Sequence, residues 1–462
     1  MVIAVADQRP LSCLSAVATL LGGRLIGEDA SFSAVSTDSR SISSGALFVA
    51  LRGPNFEGEQ FLQQVHAAGA VGAIVQQQKP FDIPQIVVGD TLQALGQLAA
   101  GWRAQFEIPV VAITGSNGKT TVKEMVASIL HLAGQGTVTQ GNFNNEIGVP
   151  LTLLRLTPQD RWAVVEMGAS AVGDIEYLCK LAQPTHALVN NIGAAHLGGF
   201  GSMERIAQAK GEIYTGLRGN GTAVINQNLP QASLWMKLAE GKRIARYATT
   251  RVANSELLSA DTAKAPLLLS YQGDEVSVQL KLLGEHNRTN AVAAAALALE
   301  VGASLIQVKQ GLESLQPVAG RLQQMAARLG STVIDDSYNA NPDSMKSGVR
   351  LLSDFPGKRV LVLGDMGELG EAAASLHQEV GQLAQKVGID KLFAFGEFGG
   401  DFVAGFGGGV AHVTLEALLE QLDLELGRDT TILVKGSRFM RMERVVNHLL
   451  DQGDTTASVQ NQ

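Results

Sequence analysis

The chain has 462 residues, 45% of them hydrophobic and 17% charged, with 51 glycines and a net charge of −8. That length predicts about three domains of ordinary size, each able to bury its own core without disulfides or a structural metal. The acidic balance argues against a nucleic-acid partner, and the lack of an apolar run of roughly eighteen residues argues against a transmembrane segment.

In chain order, Pro10 stands where a helix can begin, and Leu11, Leu14, Val17, Ala18 and Leu21 recur at helical spacing before Gly22 and Gly23. Strands over 46–51 and 71–75, with a helix over 60–68 between them, make residues 1–90 a small α/β domain. A connecting helix over 92–106 precedes Pro109. From Val110 the pattern becomes strand, turn, helix: a strand over 110–114, a helix over 119–132, then strands over 162–165, 186–191 and 222–226. Such alternation predicts a mostly parallel sheet covered by helices, with ligands at the carboxyl ends of its strands. Helices over 291–300 and 306–312 close this second domain, residues 91–315. Strands over 333–335, 359–363, 392–395 and 431–434 alternate with helices in a C-terminal α/β domain, 316–455. Residues 456–462 read as a polar tail. The fold class is α/β in three domains, with a P-loop-type nucleotide site on the central sheet.

The strongest local signal is the β-branched run Val110–Thr114 followed by Gly115-Ser116-Asn117-Gly118-Lys119-Thr120-Thr121. Glycines let backbone N–H groups turn inward, and the helix that follows points its positive end at phosphates. Lys119 brings a cation to the β- and γ-phosphates, and Thr120 offers a hydroxyl to Mg²⁺. The loop departs from the common pattern at Ile113, where a glycine would stand. Glu166, ending a strand, suits a Mg²⁺-coordinating carboxylate, or it caps the strand. His196 in a Gly-rich loop and Lys210 on a helix read, by spacing alone, as solvated side chains. Asn287 and Asn290, opening the Ala-rich helix, read as helix caps. Gly364 to Gly370 lacks the G-x-G start of a dinucleotide fingerprint, and the neighbours Asp335 and Asp336 point to opposite faces of a strand. Cys13 and Cys179 lie far apart without metal-ligand neighbours and read as reduced thiols. Residues 1–8 lack the cationic start of a signal peptide, so the chain is expected in the cytoplasm.

Together these residues resemble the Mur ligase family, whose phosphate loop has the same shortened form, T-G-[ST]-N-G-K-T-T. The resemblance runs from about Ser36 to about Leu450. It is carried further by Thr37-Asp38-Ser39-Arg40 with Gly45 to Ala50, by Gly141 to Pro150, by Asp335 to Pro342, by Gly364 to Gly370 and by Val434 to Arg438. It implies ATP-dependent amide-bond formation with Mg²⁺. Within the family the blocks match the branch that joins D-alanyl-D-alanine to a UDP-linked muramoyl tripeptide ending in lysine or diaminopimelate. Sister ligases that add diaminopimelate or lysine remain as alternatives, although the D-N-P-R motif of the diaminopimelate branch is replaced by Asn341-Pro342-Asp343. A folate-type polyglutamate ligase and a nucleotide-binding protein without turnover are further alternatives. The resemblance also implies residue roles. Gly115 to Thr121, His286, Asn287, Asn290 and Arg321 would bind ATP, and Thr120, Glu166 and His196 the metal. Lys119, Lys210, His196 and Asp336 would serve catalysis, with Lys210 as a carbamate. Ser39, Arg40, Asn145, Asn339 and Lys435 would contact substrates, in a monomeric enzyme whose outer domains close over the central one.

Overall fold

A computed structural model describes residues 2–4, 11–53, 56–193, 200–252 and 258–450. The polar tail and His196 lie outside these residues. Three α/β domains follow one another along the chain, as the alternating pattern predicts. The first holds a six-stranded sheet whose four inner strands run parallel: Ala34–Ser36, Ala46–Val49, Gly72–Val75 and Gln85–Val87.

The second holds nine strands, and the third in their order is Val110–Thr114, which pairs in parallel with Ala163–Glu166 on one side and His186–Val189 on the other. Both faces of this strand are covered. Val110 and Ala112 enter one apolar core while Val111 and Ile113 enter another, as the period of two in a strand requires. The chain leaves Val110–Thr114 first toward one edge of the sheet and later toward the other. The loop after Thr114 therefore sits at the point where the strand order reverses, the place where open α/β sheets bind ligands. The far edge is antiparallel, with Leu267–Tyr271 and Asp274–Val278 forming a hairpin that the strand-turn-helix pattern did not foresee.

The predicted connecting helix is Thr91–Arg103, capped by Asp90 through the backbone N–H of Gln93. It is no free linker. Leu95, Leu98, Ala99 and Trp102 belong to one continuous core that reaches from Leu14 in the first domain to Trp235 in the second. The run Ala291–Ala298 is entirely buried within the helix Glu285–Val301. The third domain holds six strands, with Thr332–Asp336, Thr430–Lys435 and Lys358–Gly364 adjacent and parallel. No helix among the described residues is long and apolar enough to cross a membrane.

Candidate active site

The helix Lys119–Leu130 starts at Gly118, whose φ of +75° only glycine adopts without strain, and no side chain caps it. Its first N–H groups are left for an anion. The loop ahead of it is held by amides from the end of the neighbouring strand. Asn117 donates its backbone N–H to Asn191 Oδ1 at 2.8 Å, and its carbonyl accepts from Asn190 Nδ2 at 3.0 Å and Asn191 Nδ2 at 2.9 Å. Ser116 Oγ accepts the N–H of Gly193 at 2.9 Å. Asn190 Nδ2 also donates to Asn290 Oδ1 at 2.8 Å, and Asn290 Nδ2 donates to Asn287 Oδ1 at 3.2 Å. Asn287 and Asn290 thus do not cap their helix. They are links in an amide relay that ties it to the phosphate loop.

Thr120 donates its hydroxyl to Glu166 Oε2 at 2.9 Å, and Asn144 Nδ2 donates to Glu166 Oε1 at 2.7 Å. Glu166 is buried as the last residue of its strand. Lys119 folds back on its own loop, donating to the carbonyl of Gly115 at 2.8 Å. Burial disfavours its charge, Arg321 adds repulsion, and Glu166 opposes both, leaving its pKa below the ordinary lysine value.

Lys210 is 2% exposed on the helix Met203–Thr215 and makes no hydrogen bond or ion pair among the described residues. Burial, with Lys119 nearby, lowers its pKa to about 7. Near neutrality a large share of it is free amine, the form that carbamate chemistry needs.

The third domain closes the other wall. Arg321 donates to Thr120 Oγ1 at 3.1 Å and lies 4.3 Å over the Tyr338 ring. Lys435 is 3% exposed and donates to Asp336 Oδ2 at 2.6 Å and to the carbonyl of Asn339 at 2.9 Å. Burial raises the Asp336 pKa against the opposing pull of Lys435. Asp335 does point elsewhere, accepting the N–H groups of Gly320 and Ser337.

These walls enclose a cavity of about 750 Å³, within the range of small-molecule sites. Ser116 through Thr121, Glu166 and Lys210 line it from the second domain, and so do His286, Asn287 and Asn290. Arg321, Asp336, Asn339 and Lys435 line it from the third. Gly115 lies behind the lining. Asn145 lines the cavity, while its Oδ1 accepts the N–H of Gly148 at 2.9 Å at the start of the helix Gly148–Leu153. Ser39 and Arg40 lie apart from it, in the loop after Ala34–Ser36, where Arg40 pairs with Asp38 at 2.9 Å. Sequence reasoning passed over Asn144, Asn190, Asn191 and Asn341, although Asn144 and Asn341 stand inside blocks it had singled out.

The Mur ligase middle-domain model matches residues 113–298. The Mur ligase glutamate-ligase-domain model matches 320–438, and the Mur ligase catalytic-domain model matches 31–103. The chain is 42% identical over 446 residues to the UDP-N-acetylmuramoyl-tripeptide–D-alanyl-D-alanine ligase of Escherichia coli, covering 95% of this chain and 98% of that one. It is 42% identical over 450 residues to the Haemophilus influenzae enzyme of the same name, covering 94% and 98%. A crystal structure of MurF from Acinetobacter baumannii superposes with a TM-score of 0.88 at 35% identity, over 96% of this chain and all of that one. The MurF ligase of Thermotoga maritima, solved in complex with ADP, superposes with a TM-score of 0.79 at 27% identity, over 90% and 96%. With three family domains in order and full-length relatives at this identity, the chain belongs to the Mur ligase family.

Proposed function

We propose that the chain joins D-alanyl-D-alanine to a UDP-linked muramoyl tripeptide, using ATP and passing through an acyl phosphate. The observation that carries this reading is the shared cavity. The phosphate loop and Glu166 form one wall, and the Asp336–Lys435 pair of the third domain forms the other. Full-length relatives at 42% identity bear the name of that ligase. Residues 1–90 would hold the uridine-nucleotide end of the substrate, 91–315 the ATP and 316–455 the acceptor. The enzyme would act as a cytoplasmic monomer.

A carboxylate is a poor electrophile at carbon, so its oxygen first attacks the γ-phosphorus of ATP and ADP departs. The amine nitrogen of the dipeptide then attacks the acyl carbon, and phosphate leaves with the bridging oxygen. The protein's part is to orient both reactants and to neutralise charge. The phosphate loop supplies backbone N–H groups, and Lys119 swings from the Gly115 carbonyl onto the phosphates. Asp336, whose pKa is raised by burial, takes up the proton that the dipeptide's ammonium loses to become the attacking amine. Thr120 and Glu166 offer adjacent hard oxygen donors, which suits Mg²⁺, an ion that fills much of its shell with water and phosphate. Bound there, Mg²⁺ would neutralise charge on the phosphates. Lys210, as a carbamate, would replace a buried amine near Lys119 with an anion.

The test is phosphate release with each reactant omitted in turn, run with and without added bicarbonate. Phosphate should appear only with ATP, tripeptide and D-alanyl-D-alanine together, alongside a pentapeptide product by mass, and bicarbonate depletion should slow it. Turnover with free lysine or diaminopimelate as acceptor would transfer the chain to a sister branch.

A further inference from the structure

The third domain touches the phosphate loop through a second contact besides Arg321. Asn341 Nδ2 donates to Asn117 Oδ1 at 2.7 Å, across 224 positions of sequence. Both partners are fixed before they meet. Asn341 is the N-cap of the helix Pro342–Ser353, in a reciprocal capping box with Ser344. Its Oδ1 accepts the N–H of Ser344 at 2.9 Å, and its own N–H reaches Ser344 Oγ at 3.0 Å. With the oxygen committed to the cap, only the NH₂ group can face the loop. Asn117, in turn, has its backbone N–H and carbonyl clamped by Asn190 and Asn191. Its side-chain amide is the part of the residue left to reach across.

We propose that Asn341 is a positioning residue: its bond to Asn117 sets the register of the third domain over the phosphate loop. That register sets the Asp336–Lys435 pair across the cavity from the phosphate loop. Neither amide titrates, so this contact carries no net charge. Arg321 supplies the complementary, charged contact at Thr120. The inference rests on the ligase reading for its kinetic consequence and on geometry alone for the contact.

The test is Asn341→Ser. Serine caps a helix about as well as asparagine, so folding is kept, but its hydroxyl is too short to reach Asn117. The expected result is a kcat about 5- to 20-fold lower, the loss of one well-placed hydrogen bond. The KM for ATP and the melting temperature should stay close to wild type, because the loop and its clamp are untouched. Asn117→Ala should lower kcat similarly, and the double variant should be no slower than the slower single one. Small-angle scattering reads the contact without turnover, and the serine variant should be more expanded than wild type. Unchanged kcat together with unchanged scattering would overturn the proposal, as would losses that multiply in the double variant. Wild-type protein that fails to turn over would instead count against the ligase reading, with scattering still deciding the contact.

Discussion

At the scale of single residues, His286 and Lys210 show what the cavity does to charge. Burial, with Lys435 and Arg288 nearby, pushes the His286 pKa down to about 4. A histidine depressed in the folded state is neutral there while the unfolded chain still takes up a proton near pH 6.5. Its contribution to stability is therefore full above about pH 6.5 and lost as pH falls toward 4. His186, His377 and His412 are shifted in the same direction and act in the same sense. Urea midpoints measured from pH 7.5 to 4.5 should fall less steeply for His286→Gln than for wild type, and parallel curves would refute the assignment. The residues legible in the sequence were those whose chemistry is scarce in a loop: Lys119 after glycines, Thr120, and a carboxylate ending a strand. The asparagines were not legible as a clamp. An asparagine beside a turn most often serves the turn itself, and only the strand order brings Asn190, Asn191 and Asn290 to the same loop.

At the scale of elements, the strand Val110–Thr114, its loop and its helix act as one unit, and Gly118 is where they are least tolerant. A Cβ there would lie 2.6 Å from Asn290 Oδ1 and 2.8 Å from Asn190 Nδ2, on a backbone at φ +75°. Gly118→Ala should thus break the amide relay and strain the turn, destabilising the protein by about 1–3 kcal/mol. ATP affinity should drop at least about tenfold, since the helix N-terminus would shift off the phosphates. Calorimetric titration showing wild-type affinity in a folded Gly118→Ala protein would contradict this account of the loop. Alternating strand and helix signals gave the inner parallel strands, such as Val110–Thr114 and Thr222–Asn226, within a residue or two, because buried parallel strands are short, apolar and β-branched. They missed the parallel strands Arg243–Ala248 and Leu258–Ala260, the first of which is largely exposed and polar along its first half. The edge hairpin at 267–278 escaped notice for the opposite reason. It is half exposed, carrying Ser270, Asp274, Glu275 and Ser277 among its apolar residues, and its polar content resembles a loop.

At the scale of the whole molecule, the three domains are not equivalent in how they are joined. The first and second share a core through Thr91–Arg103, with Trp102 1% exposed and bonded by its indole N–H to the carbonyl of Leu156 at 3.0 Å. Contacts of the third domain with the phosphate loop are polar: Arg321 to Thr120 and Asn341 to Asn117. Polar contacts can be exchanged for water and ligand at little net free energy, whereas a shared apolar core cannot. Under the proposed function, substrate entry and product release would fall to the joint with the third domain, where Leu283 adds a small apolar contact. The sequence could show three domains, since each has its own run of strands. It could not show that the connecting helix is core to two of them, because one apolar stripe looks alike whichever partner covers it.

The central claim is that the tripeptide carboxylate is phosphorylated before the amide forms. It is tested most directly with tripeptide carrying ¹⁸O in its terminal carboxylate, supplied with ATP and D-alanyl-D-alanine. The account predicts that one ¹⁸O atom passes to the released phosphate for each pentapeptide made, read by mass spectrometry. Phosphate free of ¹⁸O, formed alongside pentapeptide, would contradict it.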